Sequence, residues 1–237
     1  MDSAIYTTLS RQAGLKSELD IVANNVANAS TTGFRREGAI FSEFVRRTGS
    51  TSDSLSMVKL GARNTAFDPG QLAQTGGSFD FAIEGEGFFQ IRKGDETALS
   101  RAGHFMPNAA GQLVNSDGLP LLDAGGTEIT IPLGVNSVSV AKDGTMSANG
   151  TPIAQLGLWQ PVDPKDLTRI GGNLFSVEGD LEPASGQLRQ GFLEESNVNP
   201  VTEIARLIEV QRRYESAKSF LDKEDQRISS VIQTLGR

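Results

Sequence analysis

One histidine, His104, and two glutamates, Glu84 and Glu86, are the residues on which any hydrolytic chemistry would have to rest. A Ser-His-Asp site needs a histidine base. No Gly-x-Ser-x-Gly elbow accompanies His104, and Gly103-His104-Phe105 reads as a strand or turn carrying a structural or solvent-facing histidine. Glu84 and Glu86 flank Gly85 in the manner of paired carboxylates for glycoside hydrolysis. With few aromatics in the middle of the chain, they read instead as a solvated edge. Gly85-x-Gly87 lacks the third glycine and the following helix of a dinucleotide fingerprint. Asp117-Gly118 and Asp143-Gly144 lack the acidic periodicity of a calcium loop. With no Cys, thiol nucleophiles, disulfides, iron–sulfur clusters and cysteine-ligated zinc are excluded. A single His cannot build a multi-histidine metal site. The expectation is a protein that is not an enzyme and uses no cofactor.

The 237 residues carry 22 Lys and Arg against 29 Asp and Glu, a formal charge of −7. That balance argues against nucleic acid, whose phosphates want a basic face. No apolar run reaches the roughly 18 residues of a membrane span, so direct membrane insertion is not expected. The start, Met1-Asp2-Ser3-Ala4-Ile5-Tyr6, lacks the charged and apolar regions of a secretory signal. The missing cysteines suit a reducing cytoplasm and also export to an oxidising space. The doublets Arg35-Arg36, Arg46-Arg47 and Arg212-Arg213 read as solvated faces, and the sequons at Asn28 and Asn149 as chance matches.

The elements behind these residues change character along the chain. Ile5, Leu9, Gln12, Leu15, Leu19, Val22 and Val26 recur at intervals of three and four, which is one stripe of a helix. Asn28 to Gly33 is a stop signal, with Gly33 suited to a left-handed backbone. At the other end Asn199-Pro200 supplies an N-cap followed by proline at the first helical position. From there Ile204, Leu207, Gln211, Tyr214, Lys218, Leu221, Asp225, Ile228, Ile232 and Leu235 alternate three and four, a heptad seam with three polar positions. Both stripes are narrow and need partners, since an isolated helix is marginal in water. Between them Phe79, Phe81 and Ile83 alternate with polar or small residues, and Asp-Gly and Asn-Gly pairs mark hairpin turns. The expected fold is a mainly β central domain of short hairpins, flanked by N- and C-terminal α-helices that pair as a coiled-coil core. The expected division is a helix in 1–33, a connector or extended arm in 34–76, an all-β domain in 77–193 and a helix in 194–237.

Three blocks point further. Asn24-Asn25-Val26-Ala27-Asn28 leading to Gly33-Phe34-Arg35 resembles the N-terminal signature of the bacterial flagellar rod and hook proteins. Gly70-Gln71-Leu72 and Thr75, followed by Ala82-Ile83-Glu84-Gly85-Glu86-Gly87-Phe88-Phe89, is similar to that family's second block. Gly191-Phe192-Leu193-Glu194-Glu195-Ser196-Asn197-Val198-Asn199 resembles the element before its last helix. The short length and the opening residues look most like proximal-rod members, with a distal-rod or hook member as the alternative. A periplasmic cell-wall-acting enzyme is the reading from another class.

The resemblance implies a structural subunit that is exported by the flagellar type III apparatus without signal cleavage. It implies helical assembly in the periplasmic rod, with copies of itself and other rod proteins, the distal-rod protein foremost, as partners. Ile5, Leu9, Leu15, Leu19, Val22 and Val26 are then expected to pack on Ile204, Leu207, Tyr214, Leu221, Ile228 and Ile232, within the subunit and between neighbours. Asn24, Asn25, Asn28, Asn197 and Asn199 are read as helix-end caps or as hydrogen-bonding groups between subunits. Phe41-Ser-Glu-Phe44-Val45 fits a loose export-gate pattern, and a local apolar anchor is the better reading.

Overall fold

The computed structural model describes residues 2–47, 54–135 and 137–235; at 2–6, 43–47, 54–60, 232 and 235 it describes the backbone alone. The chain divides into two compact units. Met1–Ala27, Arg36–Ala66 and Val198–Arg237 form the first, and Asn28–Arg35 with Phe67–Asn197 the second.

The first unit contains α1 (Asp2–Ala27), β1 (Glu37–Arg47), β2 (Ser54–Thr65) and α2 (Pro200–Leu235). The stretch read as a connector thus contributes a hairpin. β1 and β2 pair antiparallel from Glu37↔Thr65 to Arg47↔Ser54, with a register shift between Ile40 and Phe41. α1 packs against α2 and against both strands. The two helices run antiparallel, since Glu18 meets Arg206 at 2.8 Å and Thr8 and Arg11 lie beside Ser216 and Arg213. By this register α1 runs out near residue 223, so the last three turns of α2 extend past it.

This corrects the expected coiled-coil pairing. The helices do not form a two-helix seam. The buried large side chains of α1 are Leu15, Ile21, Val22 and Asn25, so burial extends beyond the expected stripe to Ile21 and Asn25, while Leu19 and Val26 on that stripe are half-buried. Three elements rather than one cover that helix, so no single seam is selected. On α2 the buried and half-buried residues are Glu203, Arg206, Leu207, Val210, Tyr214, Ala217, Leu221 and Glu224. Leu207, Tyr214 and Leu221 were on the expected stripe. The alternate positions, Ile204, Gln211, Lys218 and Asp225, are exposed. Burial of Glu203 (1% exposed) in place of Ile204 (45%) sets the helix's inner face. Among the described residues the molecule has two α-helices and is dominated by strands.

The second unit is built of short strands: β3 (Leu72–Gln74), β4 (Phe81–Glu84), β5 (Phe89–Lys93), β6 (Glu96–Ser100), β7 (Met106–Pro107), β8 (Leu113–Val114), β9 (Val138–Val140) and β10 (Thr145–Ala148). They continue as β11 (Thr151–Gln155), β12 (Trp159–Pro161), β13 (Leu167–Gly171), β14 (Leu174–Val177), β15 (Leu181–Pro183), β16 (Gln187–Gln190) and β17 (Phe192–Glu194). The widest sheet has the order β13-β14-β6-β5, and β11-β10-β9 form a second. Asn149 (φ 48) and Gly150 (φ 83) supply the two left-handed residues that join β10 to β11. Alternation fails at β4, where Phe81, Ala82 and Ile83 are all buried because both faces are covered. Phe105 packs on Phe81 and Phe89 with ring centroids 6.1 and 5.5 Å apart. Ile91, Leu113, Leu121 and Met146 complete that core. A smaller cluster holds Phe88, Leu99 and Phe175.

Candidate functional site

The motif blocks of the second unit, far apart in sequence, converge on one buried carboxylate. Glu194, at the end of β17, is 1% exposed. Arg35 Nη2 lies 2.8 Å from its Oε1 and Arg101 Nε lies 2.8 Å from its Oε2. The backbone N–H of Gly70 donates to Oε1 at 2.8 Å, and the N–H of Gly33 donates to the Glu194 carbonyl at 2.8 Å. Arg101 also donates to the carbonyls of Gly87 (2.5 Å) and Gly85 (3.0 Å). The Gly-Glu-Gly stretch therefore offers carbonyls to a buried guanidinium, while Glu86 and the preceding Glu84 stay exposed. Arg35 donates to the carbonyl of Asp68, and the Asn197 side chain donates to that same carbonyl at 2.8 Å. Burial pushes the pKa of both guanidinium groups down from the ordinary value, and Glu194 opposes the shift. Arginine stays charged regardless. Two cations and one anion are thus held dry, with every oxygen of the carboxylate used, as a buried ion pair requires.

The glycines of these blocks are set by space. Gly33 has φ +67, and a Cβ there would stand 2.3 Å from Ala102 N. At Gly70 a Cβ would meet Glu195 O at 1.9 Å. Phe34 is buried, with the Arg169 guanidinium 4.5 Å above its ring.

A second polar knot holds the first unit together. Asn25 is fully buried. Its Oδ1 accepts from the Glu37 N–H at 2.9 Å, and its Nδ2 donates to the Glu37 carbonyl at 2.8 Å. Nδ2 also reaches Glu203 Oε2 at 3.2 Å. Arg36 Nε closes the knot on Glu203 Oε1 at 2.5 Å. One asparagine thereby ties α1 to the start of β1 and to the first turn of α2. Asn199 caps α2, its Oδ1 accepting from Thr202 N at 3.1 Å.

The expected assembly residues divide by burial. Leu15 and Val22 are buried, and Leu19, Val26, Leu207, Tyr214 and Leu221 are half-buried. Leu9, Ile204 and Ile228 are exposed, and so are Asn24 and Phe41. The side chains of Ile5, Ile232, Phe44 and Val45 lie outside the described residues. Asn28 accepts at its carbonyl from Thr31 N and at Oδ1 from Thr31 Oγ1. Arg35 and Arg36, read as solvated, are ion-paired, Arg35 in full burial. Glu194, Arg101, Glu37 and Glu203 were missed. A polar residue inside a motif block, such as Glu194 before Ser196-Asn197, was the available signal. His104 Nδ1 lies 2.6 Å from Asp80 Oδ1, half-exposed. Asp80 Oδ2 accepts from Thr75 Oγ1 at 2.6 Å, so the histidine belongs to a turn-bracing chain. Among the described residues no helix is long and apolar enough to cross a membrane, and no group of three or more His, Cys, Asp or Glu is placed to hold a metal.

Residues 5–35 match the family described as flagella basal body rod protein. Residues 82–148 match the flagellar hook protein FlgE/F/G D1 domain, and 189–234 the flagellar basal body rod FlgEFG protein C-terminal family. The flagellar basal-body rod protein FlgF of Caulobacter vibrioides is 40% identical, with 100% of this chain and 99% of that one aligned. FlgF of Rhizobium meliloti is 34% identical over the same shares. The rod protein FlgG of Bacillus subtilis is 30% identical, with 97% of each chain aligned.

Proposed function

The chain belongs to the flagellar basal-body rod protein family, and from that premise we propose that its exposed helical apolar residues are the surfaces through which it packs into the rod. It is a structural subunit of the bacterial flagellar basal body, acting with other rod components and copies of itself. The observation that carries the packing proposal is the outer side of α2. Val201, Ile204 and Ile208 are 78%, 45% and 47% exposed and share one stripe, spaced three and four. Ile228 and Val231, in the turns beyond the reach of α1, are 39% and 52% exposed. With Leu9 on α1 these side chains are free for neighbours, while the buried Leu15 and Val22 hold the subunit itself. Contacts of this kind are heterologous and continue as a helical filament.

The finer position is the proximal rod, next to the distal-rod protein. Its support is the higher identity to the FlgF relatives than to the FlgG relative. Passage through the flagellar type III apparatus without signal cleavage follows from the same reading. So does the absence of a catalytic role: Glu84 and Glu86 are exposed at a turn, and His104 is paired to Asp80.

Ile204→Asp with Ile208→Asp tests the packing. In a strain lacking the native gene, the variant is expected to be exported and folded but to leave cells non-swimming in soft agar. Normal swimming overturns the proposal. The combined His104→Ala, Glu84→Gln and Glu86→Gln variant is expected to swim normally; loss of swimming by a folded, exported form would restore the enzyme reading.

A further inference from the structure

Charge is distributed unevenly between the two units. The first carries 14 Lys and Arg against 12 Asp and Glu, and the second 8 against 17. Each unit has a place where unpaired charges of one sign stand together. In the first unit Arg11 on α1 and Arg212 and Arg213 on α2 surround a niche of about 500 Å³, with Ser216 and Phe220 in its wall. Arg213 is engaged by Glu209 at 2.5 Å. Among the described residues no carboxylate pairs with Arg11 or Arg212. Guanidinium groups crowded without a counter-charge favour an anionic occupant.

In the second unit β12 pairs with β15, and the Val162 N–H donates to the Asp180 carbonyl at 3.1 Å. This brings Asp163 alongside the turn Glu178-Gly179-Asp180, all exposed. No cation pairs with Glu178 or Asp180 among the described residues. Val162, 62% exposed, stands in the same lip.

We propose that the acidic lip of one copy docks in the arginine niche of a second copy. The lip offers two unpaired carboxylates to two unpaired guanidinium groups, and an exposed Val162 to Phe220, itself 45% exposed. Arginine is suited to such a contact because its fork meets carboxylates with paired hydrogen bonds. Niche and lip are different surfaces, so the contact is heterologous and extends from copy to copy. The proposal rests on the reading of the chain as a self-assembling rod subunit, and it names which surfaces meet.

Sedimentation velocity of the full chain tests it, at about 0.1 M and about 1 M salt, between which the Debye length falls from about 10 to about 3 Å. Wild type is expected to self-associate at low salt and to weaken about tenfold or more at high salt. Arg11→Glu with Arg212→Glu, and separately Glu178→Lys with Asp180→Lys, are each expected to be monomeric, with circular dichroism and Trp159 fluorescence unchanged. A one-to-one mixture of the two variants is expected to leave both still monomeric in like-with-like contacts but to pair niche with lip through the reversed charges. A mixture that stays monomeric overturns the pairing of these two surfaces. Loss in the niche variant alone overturns the lip as occupant and points to an anionic partner of another kind. A wild type that is monomeric up to about 1 mM overturns the contact; if it still restores swimming, rod membership stands without it.

Discussion

Glu194→Gln is the sharpest perturbation of the second unit because it changes almost no volume and reverses one hydrogen-bonding group. Glu194 Oε1 serves Arg35 and the Gly70 N–H, while Oε2 serves Arg101. The glutamine oxygen can keep the first pair. Its NH2 then faces Arg101 Nε, donor against donor, with the guanidinium 3% exposed. Removing one partner of a buried ion pair costs about 3–5 kcal/mol. That is a large share of the roughly 5–15 kcal/mol by which a domain is stable. With a urea slope of about 2 kcal/mol/M, the midpoint is expected to fall by about 1.5–2.5 M. The single tryptophan, Trp159, packs in the Phe88–Leu99–Phe175 cluster of the same unit, so its fluorescence follows this unfolding locally. Glu195→Gln, at an exposed neighbour, is the control and is expected within about 0.5 kcal/mol of wild type. A drop below about 0.5 M for Glu194→Gln, at unchanged slope, refutes the account of Glu194 as the anion that holds two buried cations. A double variant with Arg101→Met is expected to cost less than the sum of the single changes, because charge and partner leave together.

Gly33→Ala is expected to destabilise the second unit by more than the about 1–2 kcal/mol of a left-handed non-glycine residue, since the new Cβ meets Ala102 N at 2.3 Å. Gly118→Ala, at φ +77 with open space around it, is expected to cost only that conformational share; equal urea midpoints for the two would contradict the steric argument. Asn25→Ala leaves the Glu37 N–H and carbonyl buried without their side-chain partner, at about 1–3 kcal/mol for each group. Its thermal unfolding, followed by helical ellipticity, is expected earlier than wild type, and an unchanged midpoint would refute the role of Asn25 as a tie between helix and hairpin.

Features that depend on a few neighbouring residues were legible. Asn199 caps α2, Gly33 takes the left-handed backbone that the stop signal demands, and Asn149-Gly150 makes a hairpin turn. What failed depended on distant partners. Periodicity favoured Ile204 as an inner residue by its apolarity, but Glu203 faces inward because Asn25 and Arg36 await it. Arg35 resembled any surface arginine until Glu194 came to it across the fold. The β1–β2 hairpin escaped detection because, among its described side chains, residues 40–42 and 61–64 are exposed in succession, so they imprint no alternation. The heptad spacing of α2 was a true signal of an amphipathic helix. It did not specify a two-helix partner, since α1 also packs against a pair of strands.

The Asn25 amide meets Glu37 with the two hydrogen bonds that a strand residue would make. In effect the last turns of a helix contribute one rung to a β-ladder. The Glu37 amide proton is consequently a counter of helix departures: it trades for deuterium when α1 lifts from the hairpin, and is held when it stays. Following that one proton by exchange in the isolated subunit and again in an assembled filament would time how firmly the N-terminal segment is clasped before and after a neighbour arrives.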